Sequence, residues 1–581
     1  MSKIRWSCVA VMLLAATTPT FAQEAEAPEP STEAAAEDST AVDSPDAADE
    51  PSIPTYLDEV TVAATGTERS LGETPGKVDV IQAEEIERRG LNGFDDLVRY
   101  LPGVELDGDL GRFGTSGFRI RGIGGNRVLT RVDGVPNAEQ FDFGPFTVTQ
   151  LALDVDALES VEVVRSAGSA LYGSDALGGV VDLTTRDPRS YLNGESRALA
   201  LRGGYDGRSD ELSEAIVFAL GSDAWRASVL YSRRDGDELD NQGTNGAENS
   251  SRTEPNPIDR SSNQVLAKLG YSQSETSDFV VSAEWFDSDA ETEVFSSRSS
   301  GSPFASAILD SDGTDTQERW RLSLEQTWVR ETVAFDSLLA RLYVQDAETE
   351  QVTLERRLPF QGESIRDGLL SFDQQTFGLD LDFYRSLGRG DELGVLTYGV
   401  DWQEDSFDQL RDRTEFVIAT GEPVPTTLAL PTKYFPESDI EELGLFVQAQ
   451  LALFDGRLEV VPGVRYDEYS LDADQNDAIF LSGNPGSPPP VDLDTDSVSP
   501  KLGVVFQATD TFSVFGQYAR GFRAPPMSAV NNGFTNFGGG YRTLASPDLE
   551  PETSDNLEFG VRGNFSRFDF SVTYFDNEYE D

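Results

Sequence analysis

The sequence of 581 residues contains no histidine and a single cysteine, Cys8. Without imidazole groups the chain cannot build a Ser-His-Asp triad or a histidine zinc site, and beyond Cys8 it has no thiolate nucleophile. A disulfide within the chain is also excluded, because it needs two cysteines. These absences remove the usual parts of a hydrolytic enzyme. We therefore expect a protein that is not an enzyme and that has no certain metal site and no permanently bound cofactor.

Basic residues are scarce as well. Lys and Arg together number 45 against 103 for Asp and Glu, which gives a net charge of -58. A nucleic-acid-binding protein needs a basic face to neutralise phosphates, and the sequence contains no basic cluster, so nucleic acid is not expected as a partner. Most of the acidic side chains are typical of a solubilising surface. Acidic side chains on ligand-facing loops would favour the binding of cations or metal complexes.

Long apolar runs are missing apart from Val9–Ala16, which follows two basic residues and precedes the small residues Thr20 and Ala22. This order is typical of a secretory signal peptide, so we predict one over residues 1–22. A single membrane anchor is the alternative, although the run is about half of the roughly 20 residues that a spanning helix needs. Without a spanning helix, a membrane location requires a closed barrel.

The next segments differ sharply in composition. Residues 23–57 are rich in Ala, Glu, Asp, Pro and Ser, which predicts a disordered acidic tether on the periplasmic side. Residues 65–190 mix short patterns, with a strand that turns helical after Val78 and a short amphipathic helix at 93–100. Further short strands are predicted at 117–121, 127–132, 160–164 and 179–184. This pattern predicts a small α+β domain.

From residue 191 to residue 581 the pattern becomes long alternation of apolar and polar side chains. In Leu443–Leu453, for example, leucines on one face oppose Gln448 and Gln450 on the other. About 15 such strands with aromatic residues near their ends are typical of a membrane barrel. A soluble β-helix or propeller would show a fixed internal repeat, and none is visible. The sequence therefore predicts a transmembrane antiparallel β-barrel.

The links between these strands alternate in length. The short links 454–457 and 509–511 suit the periplasmic side of a barrel, where turns are short. The long polar segments 288–316, 411–438 and 472–497 suit the outer side. We expect these long segments to form the ligand-facing surface.

Several motifs then point to a family. The string Asp58, Glu59, Val60, Thr61, Val62 resembles the core of a TonB box, whose bounds we place at residues 58–64, and AATGTERS, which begins at Ala63, resembles the usual continuation. An extended peptide with alternating β-branched residues can add as a strand to a partner's sheet edge. GFRIRG from Gly117, RVDGVP from Arg131 and LESVEVVRSAGSALYGSDALGGVV from Leu158 are similar to the plug domain of TonB-dependent outer-membrane receptors. These glycines match neither phosphate-binding loop motif.

The resemblance implies a barrel of about 22 strands around an N-terminal α+β plug, in the outer membrane of a Gram-negative bacterium. In the family, arginines that match Arg121 and Arg165 pair with barrel acids and hold the plug. The family usually has Arg-Gly-Pro where this chain has Arg-Ser-Ala from Arg165, so the turn there can differ. The chain ends within strand 15, and we expect a fragment that lacks about seven strands.

Two barrel motifs, Tyr518–Pro525 and Ser546–Ser554, are similar to the haem and haemoglobin receptor branch, which also contains transferrin and lactoferrin receptors. Members of this branch often carry a histidine ligand in the loop between the motifs, whereas this chain has none there. Tyr541 is the candidate axial ligand, because phenolate can ligate ferric haem; the alternative is that it is only a loop aromatic. Arg523 and Arg542 could pair with haem propionates, or Arg523 could serve barrel packing.

The resemblance implies TonB-dependent uptake of haem, or of haem from haemoglobin-type proteins, by a monomer that needs no covalent chemistry. Its partners would be TonB with inner-membrane energising proteins, outer-membrane lipid, and the ligand. A ferric siderophore or cobalamin receptor of the same fold is the alternative. A passive porin or adhesive barrel is a further alternative, which the box and plug motifs argue against.

Overall fold

The computed structural model describes residues 60–67, 69–109, 111–143, 146–149, 151–301, 306–388, 393–426, 428–536, 541–565 and 568–580. The predicted signal peptide, the predicted tether, and Asp58 and Glu59 of the predicted TonB box lie outside these residues. Within the described ranges, no helix is both long enough and apolar enough to cross a membrane.

The first domain is a small α+β unit, the plug. Its strands are β1 (Val60–Thr61), β2 (Arg69–Ser70), β3 (Val78–Gln82), β4 (Val104–Asp109), β5 (Gly114–Ile120), β6 (Val128–Val132), β7 (Val135–Pro136), β8 (Phe141–Phe143), β9 (Phe146–Val148), β10 (Leu158–Val164) and β11 (Gly179–Thr185). Its helices are α1 (Ala83–Arg89), α2 (Phe94–Val98), α3 (Ser169–Tyr172) and α4 (Pro188–Leu192), with 3-10 turns at Gly125–Arg127 and Val155–Ala157.

The plug is organised around a five-stranded sheet in the order β3-β10-β11-β6-β7, in which only β11 and β6 run parallel. Its core consists of β-branched and other apolar side chains such as Ile81, Ile120, Val161 and Leu183, each less than 5% exposed. These residues favour strands because their branched side chains fit a pleated, buried surface. The sheet gives the plug a rigid centre to which the shorter hairpins attach.

The second domain consists of long strands. They are β12 (Arg197–Asp206), β13 (Glu211–Gly221), β14 (Trp225–Asp237), β15 (Ile258–Ser274), β16 (Ser277–Glu293), β17 (Ala307–Val329), β18 (Ser337–Leu358), β19 (Ser364–Leu387), β20 (Gly394–Val417), β21 (Ser438–Leu453), β22 (Leu458–Ala473), β23 (Leu493–Thr509), β24 (Phe512–Arg523), β25 (Thr535–Asn536), β26 (Tyr541–Arg542), β27 (Glu552–Phe565) and β28 (Phe568–Glu580). Short helices α5 (Ala478–Gly483) and α6 (Met527–Val530) and a 3-10 turn at Phe295–Ser297 lie in the links.

Fifteen of these strands form one antiparallel sheet in sequence order, from β12 through β24 to β27 and β28. Side chains alternate between its two faces: on β21, Leu445 and Val447 are 48% and 41% exposed, whereas Gln448 and Gln450 are 1% and 6% exposed. Polar residues therefore face inward and apolar residues outward, which is the arrangement that a lipid surround requires. The predicted fold class, a membrane β-barrel with an internal plug, is confirmed.

The long links proved shorter than the sequence suggested. The predicted loops 288–316, 411–438 and 472–497 shrink to 294–306, 418–437 and 474–492, because the flanking strands extend into them. Strands β17 to β20 contain 22 to 24 residues and keep their pairing almost throughout. They exceed the roughly ten residues that cross a bilayer, so their ladders continue beyond it.

Candidate functional site

The two ends of the barrel lumen carry different groups. Short links such as 454–457 and 510–511 mark one end, and the long links 418–437, 474–492 and 524–551 mark the other. In barrels of this kind the short turns face the periplasm, so we name the two ends periplasmic and outer. The end of the predicted TonB box and the residues directly after it lie at the periplasmic end. An aromatic cluster lies at the outer end.

At the periplasmic end, the Glu162 carboxylate holds the start of the plug. Its Oε2 atom accepts hydrogen bonds from the Thr61 hydroxyl, from the Val62 N–H at 3.0 Å and from the Ala63 N–H at 2.9 Å. Burial is the largest cause of a raised pKa for Glu162, although these hydrogen bonds oppose it. A single plug side chain therefore satisfies three successive donors at the end of the predicted box.

The carbonyls of the same segment are held by other side chains. Tyr172 of the plug donates its hydroxyl to the Ala63 carbonyl at 2.7 Å. From the barrel, Lys501 Nζ donates to the Ala64 carbonyl at 2.7 Å, and Gln448 Nε2 donates to the Thr65 carbonyl at 2.7 Å. We call residues 61–65 the clamped segment. Because both domains hold it, movement of the segment must break bonds to the plug and to the barrel.

The two predicted locking arginines lie in different places. Arg121 pairs with Glu558 of β27, and both side chains are at most 7% exposed, so this pair joins plug and barrel. Arg165 instead pairs with Asp79 of β3, within the plug. For Arg165 the expectation of a barrel acid is thus corrected: β3 pairs with β10, and this pairing brings the Asp79 carboxylate against the Arg165 guanidinium.

Several further ion pairs tie the plug to the barrel wall. They include Arg112 with Asp315, Arg127 with Glu552, Asp154 with Arg234, Asp133 with Lys268, and Asp187 with Arg226. The plug thus reaches strands from β14 to β27, which shows that the sheet curves round it. These pairs could not be predicted from the sequence, because their members lie far apart in the chain, mostly at ordinary charged positions on alternating strands.

Between plug and wall lies a cavity of about 560 Å³. Carboxylates outnumber basic side chains in its lining, with Asp182, Asp382, Asp401 and Glu442 among them, and Arg131 and Arg341 provide positive charge. Burial, followed by the charge of Asp175, raises the pKa of Glu139 at this cavity to about 8. The cavity lies inside the barrel and forms a polar space next to the plug sheet.

At the outer end, aromatic side chains of the plug meet those of the outer links. Phe141 of β8 stacks on Phe372 of β19 with ring centroids 4.9 Å apart, and its ring edge faces Phe435 at 5.6 Å. Tyr434 contacts Phe534 at 5.4 Å, and both are at most 5% exposed. This aromatic cluster joins the plug hairpin β8-β9 to the links 418–437 and 524–551.

The three predicted ligand-binding residues separate into two places. Arg523 is 8% exposed and pairs with Asp175 of the plug at 3.0 Å, so it lies between the domains rather than at an open surface. Tyr541 is 57% exposed on the β25-β26 hairpin, and its ring lies 6.2 Å from that of Phe534. Arg542, next to it, donates to the Gly486 carbonyl at 3.1 Å. Tyr541 and Arg542 thus border the aromatic cluster.

Comparison with known proteins identifies the family. The family model for the TonB-dependent receptor-like β-barrel matches residues 272–581, and that for the TonB-dependent receptor plug domain matches residues 70–180. The chain belongs to the TonB-dependent receptors. It is accordingly an outer-membrane protein of the Gram-negative type.

The chain is similar to receptors that are named for their ligands. It is 26% identical over 551 residues to a hemin receptor of Yersinia pestis, covering 90% of this chain and 71% of that protein. The Serratia marcescens hemophore receptor HasR, solved as a double mutant with its hemophore HasA and heme, aligns with a TM-score of 0.64 at 16% identity, over 88% of this chain and 74% of that chain. The ferripyoverdine receptor of Pseudomonas aeruginosa bound to ferripyoverdine aligns with a TM-score of 0.61 at 16% identity, over 90% and 66%. The two structures show a shared fold.

Metal-binding chemistry in this receptor is limited. Within the described part of the chain, no group of three or more His, Cys, Asp or Glu side chains could hold a metal ion. The residues Glu162, Lys501 and Arg411 could not be singled out from the sequence, since each lies on a strand where alternation alone does not distinguish it from an ordinary polar position.

Proposed function

We propose that this receptor imports haem, or haem taken from haemoglobin-type proteins, in a process energised by TonB. The observation that carries the proposal is a plug tied to the barrel wall, with a clamped segment that overlaps the end of the predicted box on one side and an aromatic cluster on the other. Similarity to a hemin receptor over 90% of the chain supports haem as the ligand. A flat apolar ring system suits aromatic side chains, which offer large contact area.

In this proposal, residues 58–62 bind TonB as an added strand, and force applied there reaches the plug through the clamped segment. Arg121 with Glu558 retains the plug until it is pulled, and Arg165 with Asp79 keeps β3 and β10 together while force is applied. The receptor acts as a monomer in outer-membrane lipid, keeps no cofactor and performs no covalent chemistry. Haem is its cargo.

Tyr541 is the proposed axial ligand to ferric haem, because its ring is exposed beside the aromatic cluster and phenolate can ligate ferric iron. The variant Tyr541→Phe keeps the ring and removes only the oxygen. We expect it to lose the charge-transfer absorption of a ferric phenolate while binding haem more weakly. An unchanged spectrum would exclude Tyr541 as the ligand.

The function is tested by growth with haem as the only iron source, in a receptor-deficient host that expresses this protein. Deletion of Asp58 to Val62 should abolish growth and leave haem binding to isolated outer membranes unchanged. Deletion of five residues from the tether, 40–44, is the matched control and should preserve growth. Growth supported equally by both deletions would refute energised import and favour a passive porin.

A ferric siderophore is the second candidate ligand, favoured by the complete absence of histidine from the chain. A siderophore supplies every iron ligand itself and needs none from the protein. Titration of the receptor with haem and with a ferric siderophore separates the two candidates. A receptor that shows no haem absorption band but binds the siderophore would reassign the ligand and leave TonB-dependent transport in place.

A further inference from the structure

Two arginines at the outer end of β20 lack a counter-charge. Arg411 and Arg413 are two residues apart, so they share the inward face on which Phe407 and Gln409 are buried. Within the described residues, neither guanidinium has a carboxylate within 4.0 Å. Arg366 of the neighbouring strand, in contrast, pairs with two carboxylates. The contrast is unexpected in a chain with 103 acidic and 45 basic residues.

Arg411 lies among aromatic rings. Its guanidinium carbon is 6.0 Å from the ring centre of Phe146, 5.7 Å from that of Tyr434 and 5.4 Å from that of Phe534. These rings come from the plug hairpin and from two different outer links. Arg411 also donates to the Tyr434 hydroxyl at 2.5 Å. Burial raises the pKa of Tyr434 to about 12, so this partner stays neutral and leaves the arginine charge uncompensated.

Arg413 is held by a weaker contact. Its Nη2 atom donates to the Thr426 hydroxyl at 2.8 Å, and among the described residues no other side chain accepts from its guanidinium. A guanidinium carries five N–H donors in a rigid fork that fits a carboxylate. Half-buried arginines without a carboxylate are costly, because they lose hydration without gaining an ion pair. An anion from outside the chain would remove that cost.

We propose that Arg411 and Arg413 form the anion subsite of the outer aromatic cluster, and that its ligand is a flat ring system bearing carboxylates. The carboxylates would pair with the two guanidinium groups. The ring would lie against Phe146 and Tyr541, the partly exposed aromatics of the cluster, while the buried Tyr434 and Phe534 form the floor. This inference rests on the proposed function, since a porphyrin with two propionates belongs to this ligand class.

The test compares ferric haem with its dimethyl ester, which has the same ring and no carboxylate, on the full receptor in detergent. The unchanged receptor should bind haem about 100-fold more tightly than the ester, because two charge-assisted contacts are lost with the ester. In the double variant Arg411→Gln with Arg413→Gln, haem should bind about as weakly as the ester. Affinity for the ester should be almost unchanged.

Two control variants sharpen the result. Arg298→Gln changes another outer arginine, which is already paired with Glu248 and Asp310, and should leave both affinities unchanged. The double variant Arg411→Lys with Arg413→Lys keeps the charges but not the fork, and should recover part of the preference for haem. If the Gln double variant does not fold, Arg413→Gln alone carries the test, because it loses only the contact with Thr426.

The outcomes separate this inference from the proposed function. If the Gln double variant still prefers haem over the ester as strongly as the unchanged receptor, the anion subsite is wrong and haem import stands. If the unchanged receptor binds haem and ester equally, the subsite is also wrong. If it binds neither but binds a ferric siderophore, both the subsite and the haem proposal fail.

Discussion

Replacement of Glu162 should release the clamped segment without any ligand or TonB. In Glu162→Leu, the Thr61 hydroxyl and the Val62 and Ala63 N–H groups lose their common acceptor, and the apolar side chain fills part of the space. A hydrogen bond to a charged group contributes about 1.5 kcal/mol at the lower end, and the cost of burying the carboxylate offsets part of this. With about 1 kcal/mol left for each of the three bonds, the closed state, in which the clamped segment keeps these contacts, loses about 3 kcal/mol relative to the open state, in which the segment is released. This corresponds to a roughly 100-fold rise in the open population.

The opening can be measured by thiol labelling. The only cysteine is Cys8 in the predicted signal peptide, so a single introduced thiol is unique in the rest of the chain. Ala64 is 5% exposed, and its carbonyl contact with Lys501 does not involve its side chain. The thiol of Ala64→Cys should therefore react only when the segment opens. Its labelling rate should rise about 100-fold on the Glu162→Leu background, as the energy difference above implies.

A matched control isolates the effect of the three bonds. Glu105 is an exposed plug glutamate on β4, so Glu105→Leu makes the same chemical change at a surface position. It should leave the labelling rate of Ala64→Cys unchanged. Equal labelling rates in the unchanged, Glu105→Leu and Glu162→Leu backgrounds would mean that Lys501, Gln448 and Tyr172 hold the segment without Glu162. That result would refute a holding role for the three hydrogen bonds to Glu162.

Three further predictions concern the pKa of Glu162, the ion pair of Arg121 with Glu558, and the ion pair of Arg523 with Asp175. Because the pKa of Glu162 is raised in the closed state, that state binds the proton more tightly than the open state does. Closure therefore strengthens as pH falls through the raised pKa and weakens as pH rises through it. Labelling of Ala64→Cys, normalised to free cysteine, should slow toward acid pH, and the Glu162→Leu background should show no such dependence. Glu558→Gln should leave the Arg121 charge unpaired and destabilise plug docking by about 3 kcal/mol, measured as faster hydrogen exchange of plug peptides, whereas Arg121→Met with Glu558→Leu should recover most of the loss. Arg523→Gln should speed exchange around Asp175 and leave haem affinity within about twofold, since Arg523 is buried between the domains; a large loss of affinity with unchanged exchange would contradict this placement.

The barrel could be predicted from sequence because its physical cause is local. Along β21 each residue faces either lipid or lumen. The apolar residues Leu445 and Val447 therefore indicate the lipid-facing side, and Gln448 and Gln450 indicate the lumen-facing side. The plug strands β10 and β11 were visible for a similar reason, through runs of buried valine. The loop boundaries were not visible, because polar residues at the ends of long strands have the same composition as polar loops.

The partners of charged residues could not be predicted, and Arg165 shows why. The sequence around Arg165 is compatible with an ion pair to a barrel acid and equally with an ion pair to Asp79. Only the pairing of β3 with β10 decides between the two partners. The same applies to Phe141, whose ring is buried by side chains that lie more than 200 residues further along the chain. Sequence patterns report the type of surface that a residue faces, whereas tertiary contacts decide its partner.

The two ends of the lumen connect through the plug sheet. Glu162, Asp182 and Arg131 are direct neighbours across β10, β11 and β6, and Arg131 lies 4.0 Å from the ring centre of Tyr172, whose hydroxyl holds the Ala63 carbonyl. A carboxylate directly beside another, as for Glu162 and Asp182, is unfavourable unless a cation lies close, and Arg131 is that cation. A change at the cavity that withdrew Arg131 would therefore raise the cost of the charged Glu162 and weaken its hold on the clamped segment. This row of three charges gives the receptor a short physical route from the lumen to the segment that TonB would pull.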